Sequence, residues 1–280
     1  MRLLVIALLA LAGLLVAADF GAAALAESAV SRQMRSELGL ADDPAVRING
    51  FPFLTQAVSG HYSGIDVEAN RIAVGPLREL SVSAQLRDVE APLAMLLGSG
   101  EKTLVVGEVE GTVRVPAGDI ERLVPEVVDL RIETLDQGAL EQTAEDSDAP
   151  ALADLDPERT VRLVATSTLP ESLPESLSVT VPGLAAGDEV EVRVLTSLEL
   201  ADGLIRIVPR DVQLGGQPQL PTIPAMLQSS FSRMFAVPID PGALPLQVTP
   251  TDVRASNGLL EISGTASDLT LGSGSPLSTG

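Results

Sequence analysis

Two periodicities divide the chain. From Phe20 to Leu38 apolar side chains return at four-residue steps, at Ala26, Val30, Met34 and Leu38, with Arg32, Arg35 and Glu37 off that face. This predicts one amphipathic helix, and Gly39 is its natural stop. Beyond residue 40 the period falls to two. Leu80, Val82, Ala84 and Leu86 alternate with Ser81, Ser83 and Gln85; Val109, Val113 and Val115 alternate with Glu108, Glu110, Thr112 and Arg114. Val128, Leu130 and Ile132, and then Val190, Val192 and Val194, repeat the pattern. One dry face and one wet face predict half-buried antiparallel strands.

Asp202-Gly203 and Asn257-Gly258 lie between such strands. Both suit a type I′ hairpin turn, in which the two central residues take positive φ. The apolar phase slips between Ala69 and Ile72 and between Ile207 and Val212. A slip across a bulge or a Pro bends a strand and increases its twist, so the strands predict a strongly curved sheet. Pro209-Arg210-Asp211-Val212 is echoed by Pro250-Thr251-Asp252-Val253.

Helical signals in the body are few. Pro116 to Val124, with Asp119 and Glu121 near its start, reads as a short helical turn, and Ala91 to Leu97 as another. The segment after Pro224 puts Leu227, Phe231 and Met234 on one face of a second amphipathic helix. The fold class expected is α+β: a long curved antiparallel β-sheet wrapped around amphipathic helices and preceded by an N-terminal signal or anchor helix. The expected organisation is a signal peptide or anchor over 1–19, one domain over 20–271 with an acidic flexible insert at about 136–158, and a disordered tail over 272–280.

Leu3 to Ala18 carries no charge and follows Arg2. Such a run suits a signal h-region or a short membrane span, and either one exports the rest. Ala24-Leu25-Ala26 offers a cleavage site, but cutting there would remove the first turns of the helix that runs to Leu38. The favoured reading is an uncleaved anchor, with the body on the extracytoplasmic face of the membrane; cleavage near Ala26, giving a secreted or periplasmic protein, is the alternative.

Charge and inventory then narrow the function. A formal charge of −20 repels nucleic acid and anionic bilayer surfaces alike, so no nucleic-acid partner is expected and any lipid contact must be apolar. With no Cys and a single His, thiolate chemistry and His-rich metal sites are excluded, and no phosphate-binding glycine loop or nucleophile elbow occurs. No cofactor, metal or catalytic residue is expected; the one enzymatic reading left open is carboxylate-pair chemistry, because two acids can meet in space from any spacing. The acids between Glu141 and Glu158 read as a solvated loop, because they lack the Gly and spacing of a calcium loop.

What stands apart is the stretch from Ile48 to Tyr62, which holds Phe51 and Phe53 with the only His, His61, and the only Tyr. Phe51-Pro52-Phe53-Leu54 has two readings, a core plug where helix meets sheet or the wall of a ligand pocket; His61 reads as a structural or surface histidine. Asn49-Gly50-Phe51-Pro52-Phe53-Leu54-Thr55-Gln56, followed by Gly60-His61-Tyr62, resembles the signature of the LmeA-like phospholipid-binding proteins of actinobacterial cell envelopes. Val109-Glu110-Gly111-Thr112 with Pro116 and Asp119, and Leu244-Pro245 with the second hairpin, support the resemblance over about residues 20 to 271.

The resemblance implies a tubular lipid-binding-like fold with an apolar tunnel, a phospholipid or related acyl lipid as ligand, and a role in envelope lipid or lipoglycan maintenance. The candidate lipid-binding residues are Phe51, Phe53, Leu54, Tyr62, Leu227, Phe231 and Met234. The alternative is an envelope scaffold that binds a protein partner through its sheet and has no lipid cavity.

Overall fold

The computed structural model describes residues 2–92, 94, 103–124, 127–169, 187–201, 204–215, 225–235, 238–239, 249–256 and 258–272. One continuous helix, α1 (Arg2–Leu38), precedes β1 (Ala45–Asn49) and the short α2 (Phe53–Ser59). Next come β2 (His61–Val74), β3 (Leu77–Glu90), β4 (Thr103–Pro116), α3 (Ala117–Glu121) and β5 (Val127–Thr134). The chain continues through α4 (Gln137–Asp146), β6 (Thr160–Thr168), β7 (Glu189–Ala201), β8 (Leu204–Leu214) and α5 (Ala225–Phe235), and closes with β9 (Pro238–Ile239), β10 (Thr249–Ser256) and β11 (Leu259–Gly272). The strands form a six-stranded sheet in the order β1-β2-β3-β4-β11-β10 and a five-stranded sheet in the order β5-β6-β7-β8-β9, antiparallel throughout.

Strands β2, β3, β4 and β11 are each 14 residues long. At about 3.3 Å per residue they run roughly 46 Å, far longer than common strands. No single cover suits that length, and the apolar side chains divide accordingly. Leu80 and Val82 of β3, Val113 and Val115 of β4, and Leu260 and Ile262 of β11 join the main core with Val161, Val192, Val194 and Ile205 of the five-stranded sheet. The other ends of the same strands, with Tyr62, Ile65, Val89, Val106 and Val109, form a second cluster. It is closed by Ala26 of α1 and by Phe53 and Ala57 of α2.

Within the second cluster the pleat turns over. In β3 the inward set passes from Leu80 and Val82 to Val89, and in β4 from Val109 to Val106, even to odd or odd to even. A one-residue change of phase moves every later side chain to the opposite face, so some residue must absorb it. Asp88 (φ 50) and Asp268 (φ 54) do this from the left-handed region, which Asp tolerates. The registers of β3 and β11 on β4 put both opposite Gly107. A Cβ on Gly107 would stand 3.1 Å from Cβ of Asp88, so glycine leaves the crease room to form.

The two slips read from the sequence are irregularities in pairing. Register shifts occur between Ala69 and Ile72, where Arg71 has φ 55, and at β8 between Pro209 and Asp211. The sequence echo has the same meaning in space: Arg210 in β8 and Thr251 in β10 are each the extra residue after a Pro. Ala201 pairs with Leu204 and Ser256 with Leu259, as the hairpins require, although Asp202, Gly203 and Asn257 themselves lie outside the described residues. Gly258 has φ 78.

Three sequence expectations are corrected. Leu38 is exposed, and the buried face of α1 is Asp19, Ala22, Ala23, Ala26 and Val30, because β1 and α2 cover only the middle of the helix. Val128 is 50% exposed despite its alternating pattern, since the positive φ of Asp129 (φ 56) and a register shift to Arg131 reverse the face. The acidic stretch taken as a flexible loop is folded. Asp136 caps α4 by accepting from the Ala139 N–H at 2.8 Å, and Leu140, Ala144 and Leu152 pack with Leu195. Leu195 neighbours the inward Val194, so α4 lies on the outer face of the five-stranded sheet. Most of the helix expected over Ala91 to Leu97, and residues 273–280 of the tail, lie outside the described residues. The turn after Pro116 is α3.

Candidate lipid-binding region

The Asn49 to Tyr62 stretch is a junction where α1, α2 and β2 meet. Asn49 donates from Nδ2 to Asp66 at 2.9 Å, which fixes the end of β1 against β2. Gly50 (φ 101) then turns beneath Ser63 and Gln56, where a Cβ would stand 2.4 Å from Ser63 Oγ. The Phe51–Pro52 bond is cis and Pro52 occupies the N-cap of α2. Gln56 Oε1 accepts from the Ser63 N–H at 2.9 Å, and Gly60 (φ 73) ends the helix with its N–H on the Gln56 carbonyl.

The scarce rings are used in two ways. Phe53 (4% exposed) is buried against Tyr62 (1%), ring centroids 6.4 Å apart. Phe51 is 61% exposed and stacks on Phe20 of α1 at 6.0 Å, and Leu54 is 44% exposed. An open cleft of about 550 Å³ lies beside them, lined by Phe51, Gln56, His61, Tyr62, Asp88 and Glu90 among others. The crease at Asp88 helps to shape it. His61 pairs across the strands with Glu90 at 3.4 Å, both exposed, a contact of small energetic weight.

Tyr62 Oη and Gln56 Nε2 are buried without a hydrogen-bond partner. Burial pushes the Tyr62 phenol above its ordinary value near 10. Because the folded chain holds this proton more tightly than the unfolded chain, the associated stability is complete below the unfolded pKa. It is lost as pH rises through the folded one. Tyr62 is the only Tyr, so phenolate absorbance in an alkaline titration reports it alone and should rise later than for a free tyrosine. Tyr62→Phe should leave the midpoint of thermal unfolding unchanged or slightly higher, since it removes a hydroxyl whose hydrogen bond is unmade.

The other candidates are elsewhere. Phe231 (1% exposed) and Phe235 (2%) of α5 are buried in the main core, and α5 packs on β8. The side chains of Leu227 and Met234 lie outside the described residues. The fold therefore gathers Phe51, Phe53, Leu54 and Tyr62 in one region and puts Phe231 in a separate cluster.

Sequence reading missed the residues that hold the region to α1. Asp19 is buried, and its carboxylate accepts from the N–H groups of Phe53 at 2.9 Å and Leu54 at 2.8 Å. Glu27 accepts from the Ile48 N–H at 2.8 Å, and Ser31 donates to the Pro44 carbonyl at 2.6 Å. The available signal was Asp19 itself, an acid breaking an otherwise apolar run.

A helix long and apolar enough to cross a membrane, hydrogen-bonded into a body of extended antiparallel sheets with dry inner faces, defines the class: a mixed α+β protein whose apolar N-terminal helix is part of the folded body. Residues 17 to 265 match the family described as LmeA-like phospholipid-binding, and the chain belongs to that family. Among the described residues no group of three or more His, Asp or Glu side chains could hold a metal ion. Comparison with curated proteins and with solved structures gives no match.

Proposed function

We propose that this chain binds phospholipid at the outer face of the cell membrane, shelters the acyl chains against the inner face of its long sheet, and holds or passes lipid for envelope lipid and lipoglycan maintenance. The observation that carries this reading is the division of the six-stranded sheet. One half is packed by the second sheet; the other is covered by α1 and α2, leaving Val67, Leu86, Leu104 and Leu269 only partly buried.

Aliphatic side chains of this kind match the apolarity of a membrane, which a carrier needs. Burial of an acyl methylene is worth roughly 0.8 kcal/mol, so a sixteen-carbon chain gains on the order of 12 kcal/mol over water. The bilayer offers the same gain, and exchange between the two is then nearly balanced. Such a lining does not select one fatty acid; head-group choice falls to polar groups at a mouth, for which the cleft beside Tyr62 and Gln56 is the candidate.

Native mass spectrometry of the full chain, released from membranes in mild detergent, should show bound phospholipid. A protein that is always empty and takes up none from liposomes would sink the carrier reading and favour the scaffold. Phe53→Leu separates wall from plug while keeping most of the apolar volume. As a pocket wall, the variant keeps its melting temperature within a few degrees and changes its lipid occupancy. As a plug, it loses stability while occupancy per folded molecule stays the same.

A further inference from the structure

We infer that Phe20, Phe51, Leu54 and Val58 form a membrane-docking surface that sinks into the outer leaflet beside the anchor and seats the body on the bilayer. Their exposures are 64%, 61%, 44% and 89%, high for large apolar side chains in a folded body. Three independent features bring them together. Phe20 and Phe51 stack. Leu54 and Val58 are four residues apart, hence on one face of α2. The Asp19 carboxylate holds the first turn of α2 directly against α1, one residue before Phe20. A contiguous patch of this kind marks an interaction surface rather than scattered exposure.

The occupant follows from continuity with the anchor. Leu3 to Ala18 spans about 24 Å at about 1.5 Å per residue, against a hydrocarbon thickness of about 30 Å. A short span is accommodated by thinning the bilayer or by submerging what flanks it. The next turn of α1 carries Phe20, and α2 is fastened at that level, so the patch lies where the apolar belt must be completed. Asp19 would be costly there if bare, but both carboxylate oxygens accept backbone N–H groups. The net charge of −20 opposes an electrostatic dock on anionic lipid, which leaves apolar insertion as the attraction. A seat of this kind would also bring the cleft lined by Phe51 to the membrane surface.

The chain has no Trp, so a single introduced Trp is an unshared reporter. Full-length Val58→Trp, Phe51→Trp and Val128→Trp are reconstituted in phosphatidylcholine vesicles with and without mid-chain brominated lipid. Val58 does not line the cleft, and Val128 is an exposed residue of the other sheet. The result expected is blue-shifted emission and strong loss of intensity with brominated lipid at positions 58 and 51, and water-like, unquenched emission at 128. If position 58 is no more quenched than position 128, the docking surface is overturned. Quenching at 51 alone would mean a lipid taken into the cleft, and a blue shift at 58 without quenching would mean cover by protein; either result also overturns it. Failure to find bound lipid by mass spectrometry would leave this result untouched, so the two proposals fail separately.

Discussion

Asp119→Ala is expected to lower the stability of the folded body by about 3 to 5 kcal/mol, the usual cost of removing one partner from a buried charged network. Asp119 is fully buried, and its two oxygens accept from the N–H groups of Arg78 at 2.9 Å and Glu79 at 2.8 Å. It also pairs with Arg122, whose other acidic neighbour, Glu79, is 4.0 Å away. Alanine leaves two backbone donors at the start of β3 without acceptors and Arg122 without its close partner. Scaling at roughly 2 to 4 °C per kcal/mol for a domain of this size, the melting temperature should fall by about 6 to 20 °C. Asp119→Asn keeps one good acceptor and should fall between the two, measured by thermal unfolding followed by circular dichroism. A melting temperature for the alanine variant equal to that of the parent would show that water replaces the carboxylate at little cost.

Asp19→Ala should cost about 2 to 4 kcal/mol for the same reason, two charge-assisted hydrogen bonds to buried or half-buried N–H groups. The consequence is different in kind. Asp119 holds strand to helix inside the body, whereas Asp19 joins the body to its anchor helix. Limited proteolysis of the membrane-bound variant should therefore cut between α1 and β1 sooner than in the parent, in addition to the lower melting temperature. If proteolysis is unchanged and only stability falls, Glu27 and Ser31 suffice to hold the helix in place. The same contacts bear on processing. Removal of residues through Ala26 would discard Asp19 and the buried Ala26, so N-terminal sequencing should find α1 intact.

Local pattern carried most of the architecture. The alternation at Leu80 to Leu86 and Val109 to Val115 fixed which faces are dry, because side-chain direction in a strand follows chain position alone. The slips at Ala69 to Ile72 and Ile207 to Val212 located irregular pairing for the same reason. Phe53 and Phe231 were recognisable as buried or ligand-facing apolar residues, yet the sequence had no means to show that they enter different clusters.

Only the tertiary structure decided the rest. Asp19 meets Phe53 across 34 residues and Asp119 meets Arg78 across 41. A single hydrogen bond between distant positions leaves no period to read. Phe51 and Phe53 are two residues apart and chemically identical, but one is exposed and the other buried, because that depends on where α1 crosses α2. The acids between Glu141 and Glu158 read as loop because their charge is local information, while the cover that folds α4 is Leu195, in another strand. By itself the sequence determined the dry faces of β3, β4 and β7, the two hairpins, the apolar N-terminal run and the family resemblance, all set by neighbours along the chain. Which dry faces meet, and which are left open, was decided by contacts between elements far apart in sequence, whose energies exist only once the chain is folded.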